Sequence, residues 1–290
     1  MSYQVLSRKW RPQRFDKVVG QVHITRTLQN AIGMDRVAHG YLFAGPRGVG
    51  KTTTARILAK VLSCENPQDR NPCNKCANCR DITKGSSLDV QELDGASNRG
   101  IDEIRGLREA VKYPPNIGDY RIYIIDEVHM LTREAFNALL KTLEEPPPHI
   151  VFIMATTDAY KVPATILSRT QKFDFKPISM NDISMCLKEI LNSEKITYEE
   201  EGIYLIAQKA DGSLRDSLSL LDQVIAYADK TLDVETVRDV LGIIEENVFL
   251  DVISLINEQN YPALITYINK FINDGFAIPD FISGFNEFIR

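Results

Sequence analysis

The sequence lacks any apolar run long enough to cross a membrane, since a spanning helix needs about 20 consecutive apolar residues. Its N-terminal stretch, from Met1 to Lys9, also lacks the apolar segment of a secretory signal. Internal repeats and low-complexity tracts are missing as well, which excludes a repeat architecture. We therefore expect a globular cytoplasmic protein without a membrane partner.

An excess of basic charge is absent too, because 34 Lys and Arg face 39 Asp and Glu, with a net charge of -5 and a pI near 5.5. This balance excludes a protein coated in basic surface for nucleic acid, so any such contact must be a local stripe. The 290 residues, 44% of them hydrophobic, suffice for two or three domains.

A glycine-rich segment over residues 45–52 is the first positive feature. Its spacing of glycine, four residues, glycine, lysine and a hydroxyl residue lets backbone N–H groups wrap a polyphosphate at a helix N-terminus. A short apolar strand at residues 41–44 precedes it, and an apolar-periodic helix from Thr53 to Ser63 follows. We expect Lys51 to neutralise the β and γ phosphates and the Thr52 hydroxyl to bind Mg²⁺. The predicted nucleotide-binding residues of the loop are Gly45, Pro46, Arg47, Gly48, Val49, Gly50, Lys51, Thr52 and Thr53, of which Thr53 also suits a capping or packing role.

A second segment, residues 121–127, is an apolar strand that ends in two acids. Asp126 is placed to hold the magnesium, and Glu127 to polarise a water for attack on the γ-phosphate. An acidic pair that is merely solvated is the alternative interpretation. Together the two segments predict a complete site for a nucleoside triphosphate and Mg²⁺.

Four of the five cysteines, Cys64, Cys73, Cys76 and Cys79, lie within residues 64–79. Four thiolates at short spacing suit tetrahedral zinc, and four protein ligands leave no position for a catalytic water, so the metal is expected to be structural. Disulfides or free thiols are the alternatives, although a cytoplasmic setting disfavours disulfides. Pro72 and the polar residues between the cysteines favour tight turns rather than helix.

Strand-like runs at residues 41–44, 88–93, 122–125 and 150–156 alternate with helical patterns, which predicts an α/β fold with a parallel sheet covered on both faces. Beyond Pro177 no convincing strand is visible, and helical periodicity runs to the end. The break at residues 211–213 ends in an N-cap for the next helix. We expect a nucleotide-binding domain over 1–178, a helical domain over 179–243 and the start of a truncated helical domain over 244–290.

Further motifs give the chain a family resemblance. They are Ala155-Thr156-Thr157, Ile166-Leu167-Ser168-Arg169 and Gly212-Ser213-Leu214-Arg215-Asp216, in that order after the cysteines. With them, the chain resembles the gamma/tau subunits of the bacterial DNA polymerase III clamp loader, which are AAA+ ATPases, from Arg8 to about residue 245. The resemblance implies an AAA+ P-loop sheet with a zinc-binding insertion, a small helical lid and an all-helical oligomerisation collar.

The resemblance also implies roles for three residues. Thr157 matches the polar sensor of the γ-phosphate or the attacking water, and Arg215 matches a lid arginine that contacts the phosphates. Arg169 matches an arginine finger supplied to the neighbouring subunit's nucleotide, so monomers are expected to hydrolyse ATP poorly. The family commonly has Cys where this chain has Thr170, and we expect that difference to affect packing and not catalysis.

Two further regions carry implied contacts. Arg11, Val18 and Val19 match the family's strip that closes over adenine and ribose, although Trp10 and Phe15 could simply pin a loose terminus. Arg99 and Arg105 match a helix that faces the DNA backbone, although each alone reads as an ordinary surface charge.

The resemblance thus implies an ATPase within a DNA-directed DNA polymerase holoenzyme, using ATP, Mg²⁺ and structural Zn²⁺ to open a sliding clamp and place it on primed DNA. The implied partners are the delta and delta prime subunits and further gamma/tau copies in a pentameric ring, the sliding clamp and primer-template DNA. The alternatives are a non-hydrolysing scaffold subunit of the same complex, or a translocating AAA+ motor such as a Holliday-junction or helicase-loading protein.

Overall fold

The computed structural model describes residues 4–228, 231–273 and 278–289. The chain divides into two compact units, the first made of residues up to 186 together with 210–216, and the second made of residues 187–209 and 217 onwards. The predicted division at residues 178 and 243 stays a prediction.

A five-stranded parallel sheet forms the centre of the first unit. The strands are β1 (Gly40–Ala44), β2 (Val90–Asp94), β3 (Arg121–Asp126), β4 (Ile150–Thr156) and β5 (Gln171–Asp174). They lie in the order β2-β3-β4-β1-β5. The two strands β1 and β4 are buried along their whole length, as expected where helices cover both faces of a sheet. The predicted parallel α/β sheet is confirmed.

Alternation along the strands builds one apolar core on each face of the sheet. Ile122 and Ile124 of β3 pack into one core, and Tyr123 and Ile125 pack into the other. Helices close both cores, those at residues 22–33 and 51–62 the first and those at residues 101–110, 133–144 and 164–167 the second. The helices up to residue 177 are α1 (Leu6–Lys9), α2 (Val22–Gly33), α3 (Lys51–Leu62), α4 (Ala77–Lys84), α5 (Ile101–Ala110), α6 (Arg133–Glu144) and α7 (Ala164–Leu167), with 3-10 turns at Phe15–Lys17, Val128–Met130 and Ala159–Lys161.

The edge strand β5 has no counterpart in the sequence prediction. Only Phe173 of its four residues is buried, and the sequence Gln-Lys-Phe-Asp has no apolar run. An edge strand pairs on one side only and tolerates charge, so its hydrophobic signal is weak. It forms because its backbone pairs with β1.

Helices dominate after residue 177. They are α8 (Met180–Glu194), α9 (Glu200–Lys209), α10 (Leu214–Tyr227), α11 (Val234–Leu241), α12 (Glu246–Asn257), α13 (Tyr261–Asn273) and α14 (Ile278–Ile289). The prediction that no strand follows Pro177 is wrong, because β6 (Thr197–Tyr198) pairs in parallel with β7 (Thr231–Leu232). Strands of two residues are too short to show an alternating pattern.

One local prediction in this region is confirmed. The Ser213 Oγ accepts the backbone N–H of Asp216 at 3.2 Å, so Ser213 caps α10 as expected from the break before it. Near the end of the chain aromatic side chains pack together, since the ring of Phe249 has centroid distances of 5.5, 5.8 and 5.5 Å to Phe281, Phe285 and Phe288. Among the described residues, no helix has both the length and the apolar character that a bilayer crossing requires.

Candidate functional site

The glycine-rich loop joins β1 to α3, in the strand, loop and helix order that the motif requires. Gly45, Gly48 and Gly50 all have positive φ angles, of 149°, 75° and 98°. A Cβ atom on Gly45 would lie 2.4 Å from the carbonyl oxygen of Phe175. Only glycine therefore fits this close passage of two backbones. The helix begins at Lys51, two residues before the predicted start at Thr53.

Lys51 and Thr52 occupy the first turn of α3. Lys51 is only 6% exposed, and its Nζ donates to the carbonyl oxygens of Gly45 at 2.8 Å and Pro46 at 2.6 Å. Burial lowers the pKa of Lys51, while the carboxylates of Glu127 and Asp126 act in the opposite direction. Thr53 beside them is half-buried.

Asp126 connects the loop to the sheet. It ends β3, and its Oδ2 accepts a hydrogen bond of 2.7 Å from Thr52 Oγ1. The two side chains predicted to share Mg²⁺ therefore touch, although they are 74 positions apart in sequence. Both offer oxygen, which is the donor atom that Mg²⁺ takes.

Glu127 follows Asp126 in a left-handed backbone conformation, with φ 45° and ψ 47°. A non-glycine residue in this region carries strain of about 1–3 kcal/mol, and such strain clusters at functional sites. The conformation directs the carboxylate to Thr157, whose Oγ1 and backbone N–H donate to Glu127 Oε2 at 2.9 and 3.2 Å. The two predicted catalytic residues Glu127 and Thr157 are thus in direct contact.

A residue that the sequence analysis missed lies beside this pair. His129 Nδ1 is 3.3 Å from Glu127 Oε2 and 3.0 Å from Thr156 Oγ1, and its side chain is 10% exposed. The 3-10 turn at Val128–Met130 brings the imidazole back towards the carboxylate. A lone histidine two positions after Glu127 carries no signal until that turn is known.

These groups gather at one edge of the sheet. Strands β3, β4 and β1 are neighbours in the sheet order, and Asp126, Thr156 and Ala44 are their last residues. Ligands of open parallel sheets bind outside the carboxyl ends of the strands. At this edge the glycine-rich loop therefore lies beside two pairs of a hydroxyl and a carboxylate, Thr52 with Asp126 and Thr157 with Glu127.

Arg215 and Arg47 lie at the glycine-rich loop. The backbone N–H of Arg215 donates to the Gly48 carbonyl at 3.4 Å, and Arg47 Nη2 is 3.8 Å from Asp216 Oδ1. A Cβ atom on Gly48 would lie 1.9 Å from Ser213 Oγ and 3.3 Å from Arg215 Cβ. The loop is therefore packed directly against the residues that start α10.

The N-terminal strip reaches the same loop. Val18 is 9% exposed, and a Cβ atom on Gly50 would lie 4.0 Å from Val18 Cγ1, whereas Val19 is partly exposed. The pKa of Arg11 is lowered, chiefly by burial and then by the charge of Arg56, while Asp126 is among the acids that oppose the shift. Phe15 is 1% exposed, so the strip is also firmly pinned.

Arg169 lies apart from the other predicted catalytic residues. Its Nη2 donates to Glu144 Oε1 at 2.8 Å, and its Nη1 donates to the Thr165 carbonyl at 2.9 Å. In the described part of the chain, no hydrogen bond or ion pair links it to Lys51 or Glu127. Thr170, the departure from the family pattern, packs near β1, since a Cβ atom on Gly40 would lie 3.1 Å from its Cγ2.

The two arginines predicted to face DNA are also outside this cluster. Arg99 is exposed and its Nε donates to the Ala96 carbonyl at 2.9 Å. Arg105 is exposed on α5 and pairs with Asp102 at 3.1 Å. Both are accessible, as a contact with phosphate requires.

The four cysteines form a second site. The Sγ atoms of Cys64, Cys73, Cys76 and Cys79 all lie within 4.8 Å of one another. Cys73 Sγ accepts the backbone N–H groups of Lys75 at 3.4 Å and Cys76 at 3.3 Å, and these bonds lower the pKa of Cys73 to about 6. Four sulfur donors so arranged fit a tetrahedral zinc ion.

The secondary structure around these cysteines differs in one respect from the prediction. Turns were expected throughout residues 64–79, but α4 begins at Ala77 and includes Asn78 and Cys79. Cys76 caps this helix, because its Sγ accepts the Cys79 N–H at 3.4 Å. A cysteine sulfur thus replaces the oxygen of a usual N-cap residue, which the turn pattern between the cysteines does not predict.

Two family models match the chain. One, described as the DNA polymerase III delta subunit, covers residues 20–179, more than half of the chain. The other, described as the ATPase lid domain of a DNA polymerase III clamp loader subunit, covers residues 182–230.

Curated relatives carry the gamma and tau names. DNA polymerase III subunit tau of Bacillus subtilis is 48% identical over 95% of this chain and 49% of its own length. The tau subunit of Escherichia coli is 47% identical over 93% of this chain and 42% of its own length. The gamma subunit of Buchnera aphidicola subsp. Baizongia pistaciae is 43% identical over 94% of this chain and 74% of its own length. The chain thus spans less than half the length of these two tau relatives.

A solved structure with the same fold is the Thermotoga maritima RuvB Holliday junction branch migration motor, with a TM-score of 0.61. It covers 90% of this chain and 85% of its own length at 16% sequence identity, which supports the AAA+ fold alone. The family follows from the sequence relatives, which are 48% and 43% identical over 95% and 94% of this chain. The chain belongs to the gamma/tau family of DNA polymerase III clamp loader subunits.

Proposed function

We propose that this chain is an ATP-hydrolysing motor subunit of a DNA polymerase III clamp loader. It couples ATP binding and hydrolysis to the opening of a sliding clamp and its placement on primed DNA. The observation that carries the proposal is a pair of hydrogen bonds at the sheet edge, from the Thr52 hydroxyl to Asp126 and from the Thr157 hydroxyl to Glu127. Membership of the gamma/tau family supports the link from this ATPase site to clamp loading.

Lys51, Thr52 and Asp126 are the residues that would hold a magnesium nucleotide. Bound Mg²⁺ supplies positive charge that neutralises the charge developing on the phosphate oxygens. Thr52 and Asp126 offer it a hydroxyl and a carboxylate, already 2.7 Å apart. The Lys51 ammonium, held by two loop carbonyls, is the cation for the β and γ phosphates.

Glu127 polarises the attacking water. The contacts from Thr157 and His129 fall on its Oε2, so we assign the water to Oε1. Fixing one oxygen fixes the direction of the other, and a well-placed carboxylate is what general base catalysis needs. Thr157 then acts both as the anchor of Glu127 and as the sensor close to the γ-phosphate.

Two arginines complete the mechanism. Arg215 packs against Gly48 and links the phosphates to the start of α10, so phosphate loss can be coupled to movement of the lid. Arg169 serves the nucleotide of a neighbouring subunit, where it adds positive charge to the transition state. Its separation from Lys51 and Glu127 within this chain agrees with action between subunits.

Two further groups are proposed to bind this chain, the adenine base of the nucleotide and a zinc ion at residues 64–79. Arg11, Val18 and Val19 close over adenine and ribose, beside the loop that holds the phosphates. The four cysteines would hold Zn²⁺ as a structural ion, because they offer four sulfur donors and leave no position for a catalytic water.

The proposed partners are the delta and delta prime subunits and further gamma/tau copies in a pentameric ring, the sliding clamp and primer-template DNA. Arg99 and Arg105 are the proposed contacts to the DNA backbone. A net charge of -5 keeps any such contact local. Phosphate contacts of this kind position the duplex without reading its sequence.

Two rival functions have less support. A non-hydrolysing scaffold subunit has no need of Lys51, Asp126 and Glu127 together. In this chain Lys51 binds two carbonyls of the loop, and Asp126 and Glu127 lie at the end of β3, where Asp126 contacts Thr52. A translocating motor is favoured only by the fold likeness to RuvB at 16% identity, against 48% identity to a tau subunit.

The proposal is tested by steady-state ATP hydrolysis of the complex assembled from this subunit and its partner subunits, with and without clamp and primed DNA. We expect strong stimulation by clamp and DNA together, and its loss in Arg169→Ala. Arg133→Ala is the control, because Arg133 is an exposed arginine at the start of α6. An ATP hydrolysis rate that does not change when clamp and DNA are added would refute the clamp-loader assignment. Equal rates in Arg169→Ala and Arg133→Ala would refute an active site shared between neighbouring subunits.

A further inference from the structure

We propose that the four-cysteine module, residues 64–79, is a metal-dependent anchor for the N-terminal segment, residues 11–19, with Asn71 and Asn74 as the positioning residues. The module holds the segment against the nucleotide site, so loss of the metal loosens nucleotide binding. This inference rests on the proposed nucleotide site and assigns to the module a task beyond stabilising its own fold.

Asn71 makes the first connection. Its Oδ1 accepts the backbone N–H of Phe15 at 2.8 Å, and both residues are almost fully buried. Asn71 is itself held by a tight turn, since its backbone exchanges hydrogen bonds of 2.9 and 2.8 Å with Gln68. A buried N–H that loses its partner is strongly unfavourable, so this bond fixes the position of Phe15.

Asn74 makes the second connection. Its Nδ2 donates to the Gln13 carbonyl at 3.1 Å, and its Oδ1 accepts from Lys60 Nζ at 3.2 Å. Lys60 lies on α3, is 2% exposed and also donates to the side-chain oxygen of Gln13. Gln13 is therefore held by the module and by α3 at the same time.

The metal ligands set the position of Asn74. It stands between Cys73 and Cys76 with a positive φ of 57°, in a turn whose N–H groups at Lys75 and Cys76 point to Cys73 Sγ. A zinc ion would fix this sulfur relative to Cys64, which follows α3, and Cys79 on α4. Without that constraint the sulfur of Cys73 is no longer tied to Cys64 and Cys79, so the turn that carries Asn74 can move relative to α3 and α4.

The segment in turn reaches the nucleotide site. Gln13 Nε2 donates to the Arg11 carbonyl at 2.9 Å, which ties the anchored residue to the half-buried arginine. The charges of Asp126 and Arg215 act on the pKa of Arg11, Asp126 raising it and Arg215 lowering it. A Cβ atom on Gly50 would lie 4.0 Å from Val18 Cγ1. A segment released at Gln13 and Phe15 would carry Arg11 and Val18 away from the loop.

The module also offers a matched control. Asn78 Nδ2 donates to the Ser63 carbonyl at 2.8 Å, which ties the module to the end of α3 and not to the N-terminal segment. Asn78→Ala therefore removes a hydrogen bond of the same kind from the same module. A module that only stabilises its own fold would respond alike to all three asparagine changes.

The experiment uses the full chain and two readouts. Trp10 is the single tryptophan and directly precedes the segment, so acrylamide quenching of its fluorescence reports release without any nucleotide. The dissociation constant of a fluorescent, non-hydrolysable ATP analogue with Mg²⁺ reports the site. Both are measured on zinc-loaded wild type, on protein treated with a zinc chelator, and on Asn71→Ala, Asn74→Ala and Asn78→Ala, with bound zinc and circular dichroism recorded for each.

We expect Asn71→Ala and Asn74→Ala to keep zinc, to raise Trp10 quenching and to weaken analogue binding about three- to tenfold, the effect of losing one buried hydrogen bond. Chelator treatment should do the same in wild type, and Asn78→Ala should resemble wild type. Equal affinity and quenching in all three variants, or metal loss that leaves Trp10 quenching unchanged, would overturn the anchor. Wild type that binds no analogue would overturn the proposed function instead, and the Trp10 readout would still decide the anchor.

Discussion

The hydroxyl of Thr157 donates a hydrogen bond of 2.9 Å to Glu127 Oε2, across the carboxyl ends of the neighbouring strands β4 and β3. The residue that follows one strand thus orients the acid that follows the other. Since Glu127 also receives the Thr157 N–H at 3.2 Å, the two residues form one unit. Each acts on the reaction partly through the other.

Thr157→Val should lower kcat of the assembled complex about tenfold and leave KM for ATP nearly unchanged, because it frees a carboxylate that acts in the chemical step. Thr157→Ser keeps a hydroxyl and should retain most of the rate. Steady-state hydrolysis over a range of ATP concentrations separates the two parameters. A rise in KM with constant kcat would instead place Thr157 in ground-state binding.

His129→Ala should lower kcat about fivefold, since Glu127 loses a second neighbour on the same oxygen. His129→Asn places an amide near the position of Nδ1 and should restore part of the rate. The measurement is kcat with thermal unfolding beside it. If both variants lose rate only in proportion to lost folded protein, His129 supports the fold and not Glu127.

Lys51→Met should abolish ATP binding. It should also raise the free energy of unfolding at pH 7 by about 1 kcal/mol, because it removes a buried ammonium group that is hydrogen-bonded to two backbone carbonyls and not to a carboxylate. The pKa of Lys51 is lowered from its ordinary 10.5 by burial. The unfolded chain therefore holds more protons just below pH 10.5, and wild-type stability should rise with pH across that window.

Denaturant unfolding between pH 7 and 10.5 measures this slope. Lys51→Met should lose the part of the slope that Lys51 contributes, whereas Lys141→Met, an exposed lysine of α6, should keep it. Stability that falls with pH equally in all three proteins would contradict the assigned cause.

Gly48→Ala should destabilise the chain by about 1–3 kcal/mol, because φ is 75° and the added Cβ meets Ser213 Oγ, the cap of α10. Gly106→Ala is the control, since Gly106 lies in α5 with open space at its Cβ position, and it should stabilise by up to about 1 kcal/mol. Equal effects in denaturant melts would show that Ser213 does not limit the space at Gly48.

The geometry of the glycine-rich loop and the strand that ends at Asp126 could be predicted from sequence because they depend on consecutive residues. Gly45 and Gly50 need positive φ, and Lys51 begins the helix that follows, so spacing alone defines the loop. The central strands were equally clear, since burial on both faces leaves nearly continuous apolar runs. The cysteine cluster was visible for the same reason of short spacing.

Other parts depend on contacts between distant residues. His129 reaches Glu127 only because of a 3-10 turn, and Arg169 pairs with Glu144, which lies 25 positions earlier at the end of α6. Neither contact has a local sequence signature. The edge strand β5 is too polar to recognise, and β6 is too short. The connection of Asn74 to Gln13 spans 61 positions and needs the folded module to exist.

The proposed role of Glu127 at this sheet edge, as the base that drives ATP hydrolysis, is tested by the substitution Glu127→Gln. The amide keeps the size of the side chain and removes the base, so the variant should bind ATP with an affinity close to that of wild type. Single-turnover hydrolysis in the complex with clamp and primed DNA should fall at least about 100-fold. ATP hydrolysis by Glu127→Gln at the wild-type rate would show that Glu127 is not the base.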